Sequence, residues 1–464
     1  MVFSSFVFIT LFLPVVLILH TVIPNRKVQN GLLLAASLLF YAFGEPVYVL
    51  LMVFSALMNY LLALLLDKHR KKALLALAVG VDLALLGLFK YAGFLLGELN
   101  GLFGLSLSVP QLPLPIGISF FTFQALSYVV DVYRGDTKVQ KNYGKLLLYI
   151  SFFPQLIAGP IVRYRDIASE IDGRTVDMRA IAFGLRRFIT GLGKKVLIAN
   201  TVGAVADTLF ARTELSAPAA WLGAVAYLFQ IYYDFSGYSD MAIGLGKMFG
   251  FHFRENFNHP YTADSVQDFW RRWHISLSSF FRDYVYIPLG GNRKGKVRAV
   301  INRIIVFALT GLWHGANWTF LVWGLFHGFF LLLEAALPLK KLPKLLRHVY
   351  TLLVVTVGFV VFRADSMTHA LGYLGNMFSL DLTFEPALQQ LTPWLIAVLL
   401  AAVLCCGVLK KATSWVQALE DKPQLTKKES AAQQLCFVAA FLLLAWCILR
   451  LAGSSYNPFI YFRF

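Results

Sequence analysis

Long runs of apolar residues recur from one end of the chain to the other, separated by short clusters of Lys and Arg. They occupy 3 to 23, 30 to 66, 73 to 89, 112 to 130, 217 to 231, 304 to 336, 349 to 362, 391 to 409 and 433 to 449. About twenty such residues cross a hydrocarbon core of roughly 30 Å as a helix, and the two longest runs suffice to cross twice. The pattern predicts an all-α, polytopic membrane bundle of about eleven spans. Between 134 and 200 basic residues mix with apolar runs too short or too charged for simple spans, which predicts re-entrant or interfacial helices there. No soluble-domain linker, internal repeat or low-complexity tract interrupts the pattern. Residues 1–464 therefore read as one integrated transmembrane domain with an aromatic tail at 452–464.

Composition agrees with that reading. The chain is 58% hydrophobic and only 14% charged, against roughly 25% charged in an average globular protein. The first run has no basic leader and exceeds a signal-peptide core, so it is expected to stay as a span. The net charge of +17 alone would suit nucleic acid, but the cations sit in the segments between spans, which is positive-inside patterning. No Lys or Arg lies between Lys27 and Lys68 or within 364 to 390, whereas 340 to 347 and 410 to 429 are basic. These asymmetries put both termini on the extracytoplasmic side of the cytoplasmic membrane. Cys405, Cys406, Cys436 and Cys447 lie in apolar stretches, act as small hydrophobes and show no metal-type spacing, so no metal is expected.

The stretch "LTGLWHGANWTFLVWG" at 309 to 324 places a histidine in the middle of an apolar run. Upstream, 270 to 303 holds eight Lys or Arg against the single acid Asp283 and faces the cytoplasm. A helix starting after Arg303 has run about 18 Å by Gly315, so His314 is expected inside the membrane's thickness, with "GAN" breaking the helix before a return at 318 to 336. A lone histidine in a helix bundle is often a neutral hydrogen-bonding residue. An ionisable group at that depth is nevertheless a candidate site residue, and His274 in "RRWHIS" supplies a second imidazole. Gly311 and Gly315 leave room for a substrate or another helix. An imidazole is a natural general base for activating a hydroxyl.

Together with "DFWRRWHISLSSFFRDYVYIPLGG", the "WHG" histidine resembles the membrane-bound O-acyltransferase family. "LPLPIGISFFTFQALSYVVDVYRG", "FFPQLIAGPIVRY" and "YYDFSGYSDMAIGLGKMFG" resemble its bacterial branch, typified by the membrane subunit of alginate O-acetyltransferase. The resemblance implies helices around a tunnel or paired funnels, with a cytoplasmic thioester donor, acetyl-coenzyme A or a carrier-protein thioester, and no permanently bound cofactor. It makes His314 the catalytic histidine and His274 the second functional one. Trp313 and Asn317 become candidate oxyanion donors. Arg271, Arg272 and Arg282 are expected at the donor entrance with His274, positive-inside anchoring being the plain alternative. Asp234 and Asp240 are expected to support the site through structural hydrogen bonds, with a proton relay as the other reading, and His327 is expected to be structural.

The chain ends "NPFIYFRF", an aromatic ending that suits either an interfacial belt or a tail tucked back into the outward funnel. By resemblance, Tyr461 would carry the acyl group to an extracytoplasmic serine hydrolase-like acetyltransferase of the SGNH type, which passes it to an exported polysaccharide such as alginate. D-alanylation of teichoic acid and peptidoglycan O-acetylation belong to the same family and leave the acceptor open. A transporter or flippase of an envelope polysaccharide precursor, or a synthase scaffold, would share the many spans but not release coenzyme A. Membrane lipid is an expected partner and nucleic acid is not.

Overall fold

The computed structural model describes residues 1–110, 112–422, 424–453 and 456–460, and among these every regular element is helical. The chain forms two compact units, residues 1–185 with 242–254, and residues 186–241 with 255–464. In the first unit the helices Arg26–Ala42, Tyr48–His69 and Lys72–Lys90 accompany Ile118–Arg134, which is buried along nearly its whole length. Its buried Ser119, Thr122, Gln124, Ser127 and Asp131 show that it is not apolar all round, yet its mean hydropathy is still that of an apolar run.

Among the described residues, seven helices are long and apolar enough to cross a membrane, or eight if Pro393–Val408 and Lys410–Glu420, bent by 64° at their junction, form one span. The eleven expected from hydropathy differ from this for identifiable reasons. Phe8–Val22 and Ala92–Phe103 are shorter apolar helices. The run at 217 to 231 is the first half of the 32-residue helix Ala217–Met248, which continues through Asp234 and Asp240. In the opposite sense, Met178–Phe210 is a 33-residue candidate span where only re-entrant or interfacial pieces were expected. Its cations are tolerated because partners within the second unit take them up: Arg187 and Lys194 with Asp240, Lys195 with Asp234, and Arg186 with Glu420.

The second unit holds the hairpin of Lys296–His314 and Trp318–Ala336, followed by Lys344–Arg363. Its two arms touch backbone to backbone. A Cβ on Gly324 would lie 2.2 Å from the carbonyl oxygen of Phe307, and one on Gly311 would lie 2.2 Å from that of Phe320. Gly191 and Gly237 make a similar crossing between Met178–Gly193 and Ala217–Met248, where a Cβ on Gly191 would stand 2.4 Å from the Gly237 oxygen. Small residues permit this approach where lipid gives helices no hydrophobic reason to associate. Gly324→Ala should destabilise the protein by about 1–3 kcal/mol or more, since a backbone oxygen cannot step aside as a side chain can. Thermal unfolding of the detergent-solubilised protein measures this, and a melting temperature equal to wild type would refute the contact.

Candidate functional site

His314 is the last residue of its helix, and Gly315 follows in extended conformation. The helix begins at Lys296, seven residues before Arg303, so at about 28 Å rather than 18 Å it is long enough to cross a bilayer core. Asn317 caps the next helix: its Oδ1 accepts from the Thr319 amide at 3.0 Å, and its Nδ2 donates to the Asp365 carbonyl at 3.0 Å. Its amide is thereby committed to the turn. The His314 ring is buried, with ring centroids of Trp313, Trp323 and Phe362 at 4.8, 5.2 and 5.1 Å.

His274 stands between two short helices with left-handed backbone, φ 45°. Such a conformation costs a non-glycine residue about 1–2 kcal/mol and persists where surrounding bonds over-determine it. Asn256 supplies them. Its backbone oxygen accepts from the Ile275 amide at 3.0 Å, and its side-chain oxygen accepts from the Ser276 amide at 3.1 Å and hydroxyl at 2.8 Å. The same oxygen lies 3.2 Å from His274 Nδ1, while Asn256 Nδ2 donates to Ser239 at 3.2 Å. An amide oxygen only accepts, so His274 donates from Nδ1 and its Nε2 carries the lone pair. Burial pushes the His274 imidazole down to about 3, which keeps it neutral. Asn256 had no local signal in the sequence, because its role depends on a loop 18 residues away.

His274 and His314 line one small cavity with Trp323, Phe362, Phe235 and Ile460. The expected grouping of His274 with the donor-side arginines is not what the geometry gives; it sits beside His314 instead. The tail reaches the same place. Lys195 donates to the Pro458 carbonyl, Asn200 Nδ2 lies 3.4 Å from the Tyr456 carbonyl, and Tyr456 donates to Asp207 at 2.7 Å. The Ile460 amide donates to Asp234 at 2.9 Å, and Phe459 stacks on Tyr238 at 4.7 Å. Tyr461 lies outside the described residues. Asp234 thus serves both Lys195, at 2.9 Å, and the tail. Asp240 is held by Arg187 and Lys194, each at 2.6 Å.

A second cavity of about 680 Å³ is lined by Arg271, Arg282, Arg303, Lys340 and Lys341, with Trp270 in its wall. Arg272 does not line it: its guanidinium pairs with Asp268 at 2.8 Å and donates to the Thr262 hydroxyl at 3.0 Å. Trp270 stands 5.6 Å from Trp323 and 5.2 Å from His327, and Trp323 stands 5.2 Å from His314. The indole nitrogens of Trp270 and Trp323 and both nitrogens of the wholly buried His327 find no hydrogen-bond partner among the described residues. A strip of unfilled polar nitrogens therefore runs from the cationic cavity to the histidine cavity. Buried polar groups are ordinarily satisfied, and each exception asks for an explanation such as a ligand or water.

Residues 140–363 match the family model for MBOAT, the membrane-bound O-acyltransferase family. The probable alginate O-acetylase AlgI of Azotobacter vinelandii is 42% identical over the whole of both chains. The peptidoglycan O-acetyltransferase of Helicobacter pylori is 39% identical over 82% of this chain and 80% of its own. The teichoic acid D-alanyltransferase of Bacillus subtilis is 29% identical over 55% of this chain and 70% of its own.

Asn256→Ala removes the acceptor that several donors around His274 share. It should lower stability by about 1–3 kcal/mol through unmade buried bonds and reduce acyl-transfer activity with it, as read by thermal unfolding and turnover. Unchanged stability would show that the loop holds itself.

Proposed function

Since the chain belongs to the membrane-bound O-acyltransferase family, we propose that it moves an acetyl group from a cytoplasmic thioester to Tyr461 of its own tail, for O-acetylation of an exported polysaccharide such as alginate. The observation that carries this reading is that Ile460, one peptide bond before Tyr461, shares a cavity with His274 and His314.

The chemistry needs a base beside a hydroxyl. His314 takes the phenolic proton as the Tyr461 oxygen attacks the thioester carbonyl; the C–O bond forms, the C–S bond breaks, and the thiolate leaves with the proton that His314 returns. His274 orients the reactants through its Nε2 lone pair. Backbone N–H groups at the Gly315 break, with Trp313, are the candidates to meet the developing oxyanion. Asn317 holds that break in shape. The basic cavity lies on the cytoplasmic side by the positive-inside pattern, and Arg271 and Arg282 suit the phosphates of acetyl-coenzyme A. The Trp270, Trp323 and His327 nitrogens suit the amides of a pantetheine arm reaching inward.

Outside the membrane, an SGNH-type acetyltransferase would take the acetyl from the tyrosine ester to the polysaccharide. Acyl transfer to peptidoglycan or of D-alanine is the second reading, favoured by the relatives from Helicobacter pylori and Bacillus subtilis. A transporter of polysaccharide precursor would need no histidine base and would release no coenzyme A.

The test is mass spectrometry of the C-terminal peptide after incubating the purified protein with isotopically labelled acetyl-coenzyme A. Label should appear on Tyr461 and be absent in His314→Ala and Tyr461→Phe. Coenzyme A release with no tail label, once an acceptor is added, would mean direct transfer; no release in any condition would sink the acyltransferase reading. Arg271→Ala/Arg282→Ala should raise KM for acetyl-coenzyme A about tenfold with kcat little changed, as expected for lost ground-state binding. An unchanged KM would remove these arginines from the donor site.

A further inference from the structure

Lys195 and Asp234 form an ion pair at 2.9 Å whose side chains are 3% and 2% exposed. A pair so far from water is costly to bury, and a purely structural role would be met as well by apolar residues of similar size. Both ends do something more: each bonds the main chain of the tail. Lys195 donates to the Pro458 carbonyl, and Asp234 accepts from the Ile460 amide at 2.9 Å.

We infer that Lys195 and Asp234 are a backbone clamp that docks the C-terminal segment through Pro458 and Ile460 and fixes its register beside the histidine pair. This deepens the function proposed above and rests on it. Bonds to two backbone groups two residues apart hold the chain lengthwise, because sliding by one residue carries both groups away from their partners. Asn200, on Asn457 at 3.2 Å, and Asp207, on the Tyr456 hydroxyl at 2.7 Å, extend the hold toward the last helix. Arg363 in turn fixes Asp207 at 2.6 Å. The two charges also satisfy each other, so a departing tail leaves no unpaired charge behind and the site can let go and take hold again. Lys195 and Asp234 act through the tail, and are therefore positioning residues.

The experiment uses the full chain in detergent and two readouts. Chymotrypsin cuts after Tyr456 and Phe459 only when the tail is out of its groove. Cleavage there, followed by mass spectrometry, should be slow in wild type, about tenfold faster in Lys195→Met and Asp234→Asn, and largely restored in Lys195→Arg. Tyr456→Phe, which removes one hydroxyl from the tail and leaves the buried pair intact, should give a smaller increase and guards against a folding defect. Labelling from acetyl-coenzyme A reads the register. With the tyrosine moved one place, in Tyr461→Phe/Phe462→Tyr, a clamped tail takes no label, while an unclamped one labels at either place. Unchanged cleavage in both clamp variants, or equal labelling of the shifted tyrosine, overturns the clamp. Accelerated cleavage with no label on wild-type Tyr461 upholds the clamp and instead removes Tyr461 as acyl carrier.

Discussion

Inside a helical bundle bounded by lipid, every polar group that is not aimed at water must find its partner in the chain, and the active region is organised by that requirement. Asn256 spends both ends of its amide on the His274 loop and Ser239. Asn317 spends both ends of its own on the His314 turn. The cations of the Met178–Phe210 span enter the apolar interior only because Asp234 and Asp240 wait on the neighbouring helix. The His274 loop and the His314 turn are thus held by side-chain amides, and the buried cations by carboxylates.

Against that background, the polar groups left without partners are informative. The nitrogens of Trp270, Trp323 and His327 are buried and unmet among the described residues, and they stand together beside the His314 ring. Polar nitrogens of this kind pair better with a group that brings carbonyl oxygens than with bare hydrocarbon. The glycine crossings have a related effect. By letting backbones touch, Gly311 and Gly324 draw the two arms of the hairpin together, and the ring of His314 is left packed by aromatic faces.

The features legible in the sequence were those encoded locally. The break after His314 could be read because a glycine and a capping asparagine stand two positions apart in the "GAN" stretch. Apolar runs gave the helical membrane architecture, and the motifs gave the family. What stayed hidden depends on distant pairs. Hydropathy does not tell an interior helix such as Ile118–Arg134 from a span, and charge in Met178–Phe210 argued against a span until its carboxylates were located. Of three arginines grouped by sequence, Arg272 turns to Asp268 while Arg271 and Arg282 line the basic cavity. Lys195 carried no motif at all, and the meeting of His274, His314 and Ile460 joins residues nearly two hundred positions apart.

A tail that belongs to the same polypeptide as the histidines has a kinetic meaning. On the proposed reading, the acceptor would be delivered at an effective concentration fixed by a few residues of chain, untouched by how much protein the cell makes. Loading would then be first order and stop at one equivalent per molecule. From that point the flow of acyl groups would be set by whatever unloads the tail, and not by the amount of enzyme or donor.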